Sequence, residues 1–242
     1  MKTPPPESPA AGADALPAGL RPAGFWRRHA AWTLDAALLA LPTWWLASAD
    51  VHAALADCAA AVQALAGTMA GAAGAVFEGA APQSAAAGLL ADASARQAIA
   101  ALQGALFRLL AVPALAFALL SLLWHVGFEA SALRATPGQR ALGLRVGDAA
   151  GRPLHLLQAA WRHLAGTASW LTLNTGHAMA AIPPRHLALH DHLSQSRVLA
   201  PADARWPAWT TLWIALQVLA MLAGCVWLFV RLQAAMEAAL GV

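Results

Sequence analysis

The sequence predicts a mainly α fold, a polytopic helical membrane protein with a small cytoplasmic β-hairpin or short sheet. Of its 242 residues, 60% are hydrophobic and 11% are charged, whereas about 25% of the residues in soluble domains are charged. Apolar stretches long enough to cross a bilayer recur along the chain. Between two of them, Leu142, Leu144 and Val146 alternate with Gly143 and Arg145, which is typical of a strand.

The charges, the cysteines and the lack of catalytic motifs exclude several classes of protein. The net charge is +3, but the arginines are dispersed, so we expect the lipid bilayer as a partner and no nucleic acid. Cys58 and Cys225 are isolated and indicate neither a disulfide framework nor a metal site. No nucleophile elbow, phosphate loop, HExxH motif or cofactor fingerprint occurs, so we expect no enzyme and no cofactor.

The N-terminal part of the sequence predicts a tail followed by the first membrane span. Residues 1–23 are rich in Pro, Ala and Gly and predict a flexible tail rather than a signal peptide. The first span covers about residues 29–49. Pro42 interrupts this span and predicts a kink, while Trp44 and Trp45 suit the far membrane interface.

The remaining long apolar stretches predict two more spans. Residues 50–105 are Ala-rich and predict an extracytoplasmic loop, with two helical pieces around a loose turn. The second span covers about residues 106–128, which is long enough to cross a bilayer. Residues 208–231 are uncharged except for the final Arg231, and they predict an additional C-terminal transmembrane helix.

Turn signals and alternation predict the β structure. Thr136-Pro137-Gly138 is a turn signal, and a second turn signal ends at Gly151. Together with the alternating residues between them, they predict a hairpin over residues 141–154. The polar loop 183–205 contains a second strand at residues 197–200, which would pair with the first strand of the hairpin if both lie on one side of the membrane.

The apolar residues 155–182 are interrupted by polar side chains. Arg162 and Asn174 disfavour a simple span, so we favour an interfacial or re-entrant segment over a fourth crossing. The positive-inside rule agrees with this choice, because arginines are concentrated in the N-terminal residues, in residues 129–163 and in residues 185–205. It places all three regions in the cytoplasm and the long Ala-rich loop outside.

An acid inside the first span requires a partner. Asp35 lies in apolar sequence, where an unpaired carboxylate costs at least about 2.5 kcal/mol. Arg28 precedes it by seven residues, so their backbones lie roughly 10 Å apart along a helix, and direct pairing would stretch both side chains. We therefore expect Asp35 to face the protein interior, with guanidinium groups from distant segments converging on it.

Four motifs, taken in order, resemble those of one protein family. They are Gly24-Phe25-x-x-Arg28 with Asp35, Thr136-Pro137-Gly138 leading to Gly143-Leu144-Arg145-Val146, Leu189-His190-Asp191, and Arg197-Val198. Over about residues 22–200 the chain resembles the RDD family of bacterial integral membrane proteins, which is named for one arginine and two aspartates.

The resemblance implies site residues and a location. The three residues that give the family its name correspond to Arg28, Asp35 and Asp191, and Arg162 lies where the family often has an arginine at the start of its last hydrophobic segment. It also implies a membrane domain over residues 24–200, in a multi-pass protein of the bacterial cytoplasmic (inner) membrane, whose N-terminus the arginine distribution places in the cytoplasm.

Two functional hypotheses remain open for these charged residues. In the first, a buried Arg/Asp network makes the chain a structural or adaptor component, with a second copy or another membrane protein as its partner. In the alternative, Asp35 and Asp191 titrate and support cation/proton exchange or other small-solute transport. An enzyme with metal ligands at His186, His190, Asp191 and His192 is less favoured, because an interfacial polar loop with Asp191 in an ion pair explains these residues more simply.

Overall fold

The computed structural model describes residue 16 and residues 18–240, is 74% helical and contains a small three-stranded sheet. These features confirm the predicted mainly α fold. The strands are β1 (Leu20–Pro22), β2 (Arg145–Asp148) and β3 (Ser196–Pro201). The helices are α1 (Phe25–Phe77), α2 (Pro82–Ala91), α3 (Ala93–Glu129), α4 (Pro137–Ala141), α5 (Leu156–Ala168), α6 (Thr175–Ala178), α7 (Leu189–Ser194) and α8 (Ala208–Leu240).

The chain divides into two compact units. One comprises Met1–Ala36 and Trp124–Val242, and the other comprises Ala37–Leu123. The sheet and the short helices α4–α7 belong to the first unit, which we call the sheet unit. The second unit contains α2 and most of α1 and α3.

Three helices are long and apolar enough to cross a membrane, namely α1, α3 and the part of α8 from Ala208 to Arg231. They contain the three predicted spans. Residues 50–105 contain helical pieces around a turn, since α1 continues to Phe77 and α2 and α3 follow a turn at residues 78–81. These pieces are continuous with the helices that contain the first two spans, and the extracytoplasmic placement of this stretch stays a prediction. Alanine has the highest intrinsic helix propensity, and it dominates these residues.

Small side chains are buried on α1 within the second unit. Ala47, Ala54 and Ala61 recur every seven residues on one face and are almost fully buried. Small residues at a helix interface let helix backbones approach closely inside a membrane. An ion pair between Asp57 on α1 and Arg108 on α3 links the two helices.

The sheet is antiparallel with β3 in its centre, flanked by β1 and β2. Arg21 pairs with Ala200, and Val146 pairs with Val198. The prediction of a flexible tail is therefore wrong for residues 20–22, because the backbone of these residues pairs with an edge of β3. The rest of that prediction, for residues 1–15 and 17, lies outside the described residues.

The predicted hairpin over residues 141–154 is also wrong. A turn follows β2, with the Asp148 N–H donating to the Arg152 carbonyl over 2.9 Å, but no second strand follows that turn. Pro153 has no N–H to donate to a ladder. In addition, the Arg134 guanidinium donates to the Val146 and Gly151 carbonyls. β2 pairs instead with β3, which contains the strand predicted at residues 197–200. This pairing is the one that we expected if both strands lie on one side of the membrane.

The segment 155–182 contains short helices only. α5 has 13 residues, and it is followed by a 3₁₀ helix at Ser169–Thr172, by α6 and by a second 3₁₀ helix at Met179–Ala181. No single helix in this segment is long enough for a fourth crossing. Its interfacial or re-entrant placement stays a prediction.

The faces of α5 are inverted relative to those of a soluble protein. Leu157 is 75% exposed and Trp161 is 53% exposed, whereas Arg162 is only 6% exposed. Apolar side chains outside and a guanidinium inside are typical of an element that contacts lipid. The inner face of α5 contributes Ala159 to the core, where it joins buried residues of α1 and the sheet such as Ala31.

Candidate functional site

Arg28 lies in the first turns of α1 and connects three segments. Its Nε donates to the Ala23 carbonyl over 2.9 Å, and its Nη2 donates to the His186 carbonyl over 2.6 Å. Its Nη1 donates to Asp191 Oδ2 over 2.5 Å. The start of α1 is therefore fixed both to the strand β1 region and to the segment before α7.

Asp191 is the acid on which the arginines converge. It lies in the first turn of α7 and is almost fully buried. Arg28 and Arg162 both form ion pairs with it, and the Ala188 N–H donates to its Oδ2 over 2.8 Å. Burial alone would raise the pKa of Asp191, but the two guanidinium groups, Arg162 first, outweigh burial and hold the pKa below its ordinary value.

Arg162 extends the network from α7 to α3. Besides Asp191, it meets Glu129, with Nε 3.2 Å from Oε2, and its Nη1 donates to Ser196 Oγ over 2.6 Å. Glu129 is the last residue of α3 and is 3% exposed. The sequence reasoning did not include Glu129 in the site, although an acid directly after an apolar span was the available signal.

The network continues through the cap of α4. Thr136 and Gln139 form a capping box, in which the Thr136 N–H donates to Gln139 Oε1 over 2.9 Å and the Gln139 N–H donates to Thr136 Oγ1 over 3.2 Å. The other end of the Gln139 amide donates to Glu129 Oε1 over 2.7 Å. Gln139 was also missed, and the capping-box spacing from Thr136 was the signal that could have identified it.

Asp35 is fully buried and is held by neutral donors. The Thr136 hydroxyl donates to Oδ2 over 2.5 Å, while the Gly138 N–H and the Trp124 indole donate to Oδ1 over 2.9 and 3.0 Å. The expectation that guanidinium groups converge on Asp35 is wrong, because Arg28 is bound to Asp191 instead. Three donors, two of them at the start of α4, stabilise this carboxylate.

The predicted turn motif has a different role from the one expected, because it begins a helix. Thr136 is the N-cap of α4 and Pro137 is its first residue, the position where a missing N–H matters least. A Cβ at Gly138 would lie 2.2 Å from the Ala31 carbonyl oxygen. Glycine therefore allows α4 to approach α1 closely enough to bind Asp35.

The other two motif residues shape the path from α4 into β2. Gly143 has a φ of +67°, a conformation that glycine adopts without strain. Arg145 is the first residue of β2 and is exposed. Neither residue joins the buried network in the described contacts.

The histidines around Asp191 do not form the helical face considered for a metal. His186 precedes α7 with a φ of +48°, and its Nδ1 lies 2.9 Å from the Ala180 carbonyl oxygen. His190 is on α7, while His192 is exposed on another face. Among the described residues, no three His, Cys, Asp or Glu side chains are grouped so that they could hold a metal ion.

The four predicted charged residues thus lie in one connected network within the sheet unit. Arg28, Asp191 and Arg162 form its ionic part, and Asp35 is reached from Arg162 through the two side chains Glu129 and Gln139 and the cap of α4. Each of its acids accepts at least two hydrogen bonds or ion pairs. Such a network can fix helices to one another, since removing one member leaves another charge unpaired.

Comparison with known proteins gives one match. The model of the RDD family matches residues 22–195, which include every charged residue of the buried network. No curated protein and no solved structure matches the chain.

Proposed function

Because this chain belongs to the RDD family, we propose that it is a structural or adaptor component of the bacterial inner membrane. It is a membrane protein, with three helices long and apolar enough to cross a bilayer. In this proposal, the buried network fixes α1 and α3 to the short helices α4, α5 and α7. The proposal assigns no enzymatic reaction to the chain, and its partner is a second copy or another membrane protein.

The pairing of the acids is the observation that carries this proposal. A proton-exchanging carboxylate works best with a pKa near the ambient pH. The pKa of Asp191 lies below its ordinary value, since Arg162 and Arg28 outweigh the effect of burial. Asp191 therefore stays ionised at neutral pH, which suits a permanent ion pair better than a titrating transport group.

The proposed topology has the N-terminus and the sheet in the cytoplasm. The arginine distribution supports this orientation, and the pairing of β1 and β2 with β3 requires all three strands to share one side. The exposed apolar face of α5, with Leu157 and Trp161, supports contact of this helix with the membrane interface.

Protein level and ion flux together test the structural role against the transport alternative. The variants are Asp35→Asn and Asp191→Asn, with Asp203→Asn as a control because Asp203 is exposed. The proposal expects the first two variants to lose membrane-inserted protein and to unfold at lower temperature, while the control matches the original chain. Cation-driven proton flux in vesicles that vanishes in stably folded Asp35→Asn or Asp191→Asn protein would instead establish transport.

An adaptor role has its own measurement. Crosslinking in native membranes, followed by purification of the intact chain, should retain a second copy or one membrane protein irrespective of ion gradients. Recovery of the chain without any crosslinked protein would contradict the adaptor role. The structural role of the network would then be tested by the Asp35→Asn and Asp191→Asn variants alone.

A further inference from the structure

Two arginines outside the buried network meet where α1 and α8 begin. Arg21 Nη2 donates to the Ala204 carbonyl over 3.1 Å, and Arg27 Nη2 donates to the same oxygen over 3.3 Å. Arg27 also donates to the Arg205 carbonyl. One carbonyl oxygen thus holds two guanidinium groups close together, and we call Arg21 and Arg27 the arginine pair. The structural role proposed above does not involve this pair, and the inference below does not rest on that role.

The arginine pair lacks a negatively charged partner. Arg27 is 6% exposed, and its Nη1 has no hydrogen-bond partner among the described residues. No acid in the described part of the chain forms an ion pair with either arginine. The acid in the adjoining loop, Asp203, is exposed and is matched in charge by Arg205. Arginine stays charged in proteins, and a buried donor without an acceptor destabilises the structure, so the pair favours an anionic acceptor.

The two helix starts add to the positive potential around the pair. Arg27 lies in the first turn of α1, and the loop that holds the pair leads directly into α8. Neither helix has an acid in its first turn. The N-terminus of a helix carries partial positive charge and unsatisfied N–H groups, so it disfavours a cation and favours an anion. An anionic ligand at this place would therefore stabilise both the arginines and the helix ends.

The pair lies at the level of lipid headgroups. Both α1 and α8 are long and apolar enough to cross a membrane, and both begin beside the pair. Trp26, Trp206 and Trp209 lie within two residues of these helix starts and are 60%, 41% and 42% exposed, and exposed tryptophans are typical of the membrane–water interface. The anion at this level of a bilayer is the phosphate group of a phospholipid.

We propose that Arg21 and Arg27 bind the phosphate group of an anionic phospholipid. Arg27 Nη1 supplies the donor that lacks a partner, and Arg21 supplies a second, exposed guanidinium. Trp206 lies over Arg27, with its ring centroid 6.0 Å from Cζ, and it shifts to admit the phosphate oxygen to the buried Nη1. The acyl chains lie along the exposed apolar face of α8, at Leu212 and Leu216. A zwitterionic lipid carries its own cation beside the phosphate, so it fits the pair less well.

Native mass spectrometry of the full chain in detergent tests this proposal with three probes. The probes are phosphatidylglycerol, phosphatidylcholine with the same acyl chains, and glycerol phosphate, which has the phosphate but no acyl chains. We expect a first phosphatidylglycerol to bind at a concentration about tenfold or more below that needed for phosphatidylcholine, and glycerol phosphate not to bind in the millimolar range. Equal binding of the two lipids would overturn the proposal. Saturable binding of glycerol phosphate would assign the pair to a soluble phosphate compound and refute the lipid.

Arginine substitutions locate the site. Arg27→Gln removes the unpartnered donor and should weaken phosphatidylglycerol binding by about tenfold or more. Arg21→Gln removes an exposed guanidinium but keeps an amide that can bind the Ala204 carbonyl, so the fold should persist while binding weakens by about threefold. Arg145→Gln is the matched control, because Arg145 is exposed on the strand at the opposite edge of the same sheet.

Unfolding temperatures decide which variants can be compared. Arg27→Gln is used only if it unfolds at the temperature of the original chain, and Arg21→Gln decides the test otherwise. Phosphatidylglycerol affinity in a folded Arg21→Gln chain that equals the affinity of Arg145→Gln would refute the site.

Discussion

The side-chain amide of Gln139 donates to Glu129 Oε1 over 2.7 Å, and this hydrogen bond joins the two halves of the buried network. On one side, Glu129 belongs to the ion pairs of Arg162, Asp191 and Arg28. On the other side, Gln139 caps α4 together with a threonine whose hydroxyl binds Asp35. Arg28 and Asp191 are therefore connected to Asp35 through an uncharged side chain.

Replacing this uncharged link by an acid should destabilise the fold. Gln139→Glu keeps the shape of the side chain but places a second carboxylate against Glu129, and it removes an amide donor to a charged acceptor. We expect a loss of stability of about 2 kcal/mol or more, measured as a lower unfolding temperature in detergent. Gln103→Glu is the control, because Gln103 is exposed on α3. Equal unfolding temperatures for the two variants would show that the link contributes nothing.

Removing Asp191, the central acid, should reduce the stability of the fold more than removing it together with one of its arginines. Asp191→Asn leaves Arg28 and Arg162 buried as two like charges, which should destabilise the chain by about 3–5 kcal/mol. Adding Arg28→Met removes one of these charges and keeps the aliphatic bulk, so the double variant should recover part of the stability. Thermal unfolding of both single variants and the double variant measures this coupling. Strictly additive losses would contradict a direct interaction between Arg28 and Asp191.

The motifs in the sequence pointed to four charged residues that the structure brings into one network, but not to how these residues are paired. Periodicity and apolar length placed the three membrane helices, because these signals are local. The partners of Asp35 and Asp191 could not be predicted, since they depend on how far α4 and α7 approach α1. The approach of α4 depends on the absence of a side chain at Gly138, which no hydropathy pattern reports. The strand β1 was missed for a similar reason, because only pairing with β3 orders it.

A methyl group at Gly138 should separate α4 from α1. In Gly138→Ala the Cβ would lie 2.2 Å from the Ala31 carbonyl oxygen and 2.8 Å from Asp35 Oδ2, so backbone must move. We expect a loss of about 1–3 kcal/mol from overpacking, together with weaker hydrogen bonding to Asp35. Gly127→Ala should instead be neutral or stabilising, because a helical glycine with open space around it gains helix propensity from the change. The unfolding temperatures of the Gly138→Ala and Gly127→Ala variants measure this difference. A Gly138→Ala variant as stable as the original chain would refute the close contact between α4 and α1.

Cysteine labelling of intact cells should place the sheet and α2 on opposite sides of the membrane. In a chain with Cys58 and Cys225 replaced by serine, we expect Gln83→Cys to react with a membrane-impermeant maleimide from outside. Asp203→Cys should react only after the membrane is permeabilised. Both positions are exposed, so a failure to label reflects the membrane rather than burial. Labelling of both cysteines from the same side would contradict the proposed topology.

His190, which is buried in its neutral form beside Asp191, should make the stability of the fold decrease in mildly acidic solution. Burial and then Arg162 lower the pKa of His190 well below its ordinary value of 6.5, so below pH 6.5 the unfolded chain binds a proton that the folded chain does not. The stability present above pH 6.5 is therefore lost progressively as the pH falls toward the lower folded pKa, by up to about 1.4 kcal/mol per pH unit. His190→Gln should flatten this part of the curve of unfolding temperature against pH, whereas His192→Gln, at an exposed position, should leave the curve unchanged. An unaltered slope in His190→Gln would show that His190 is not buried in its neutral form.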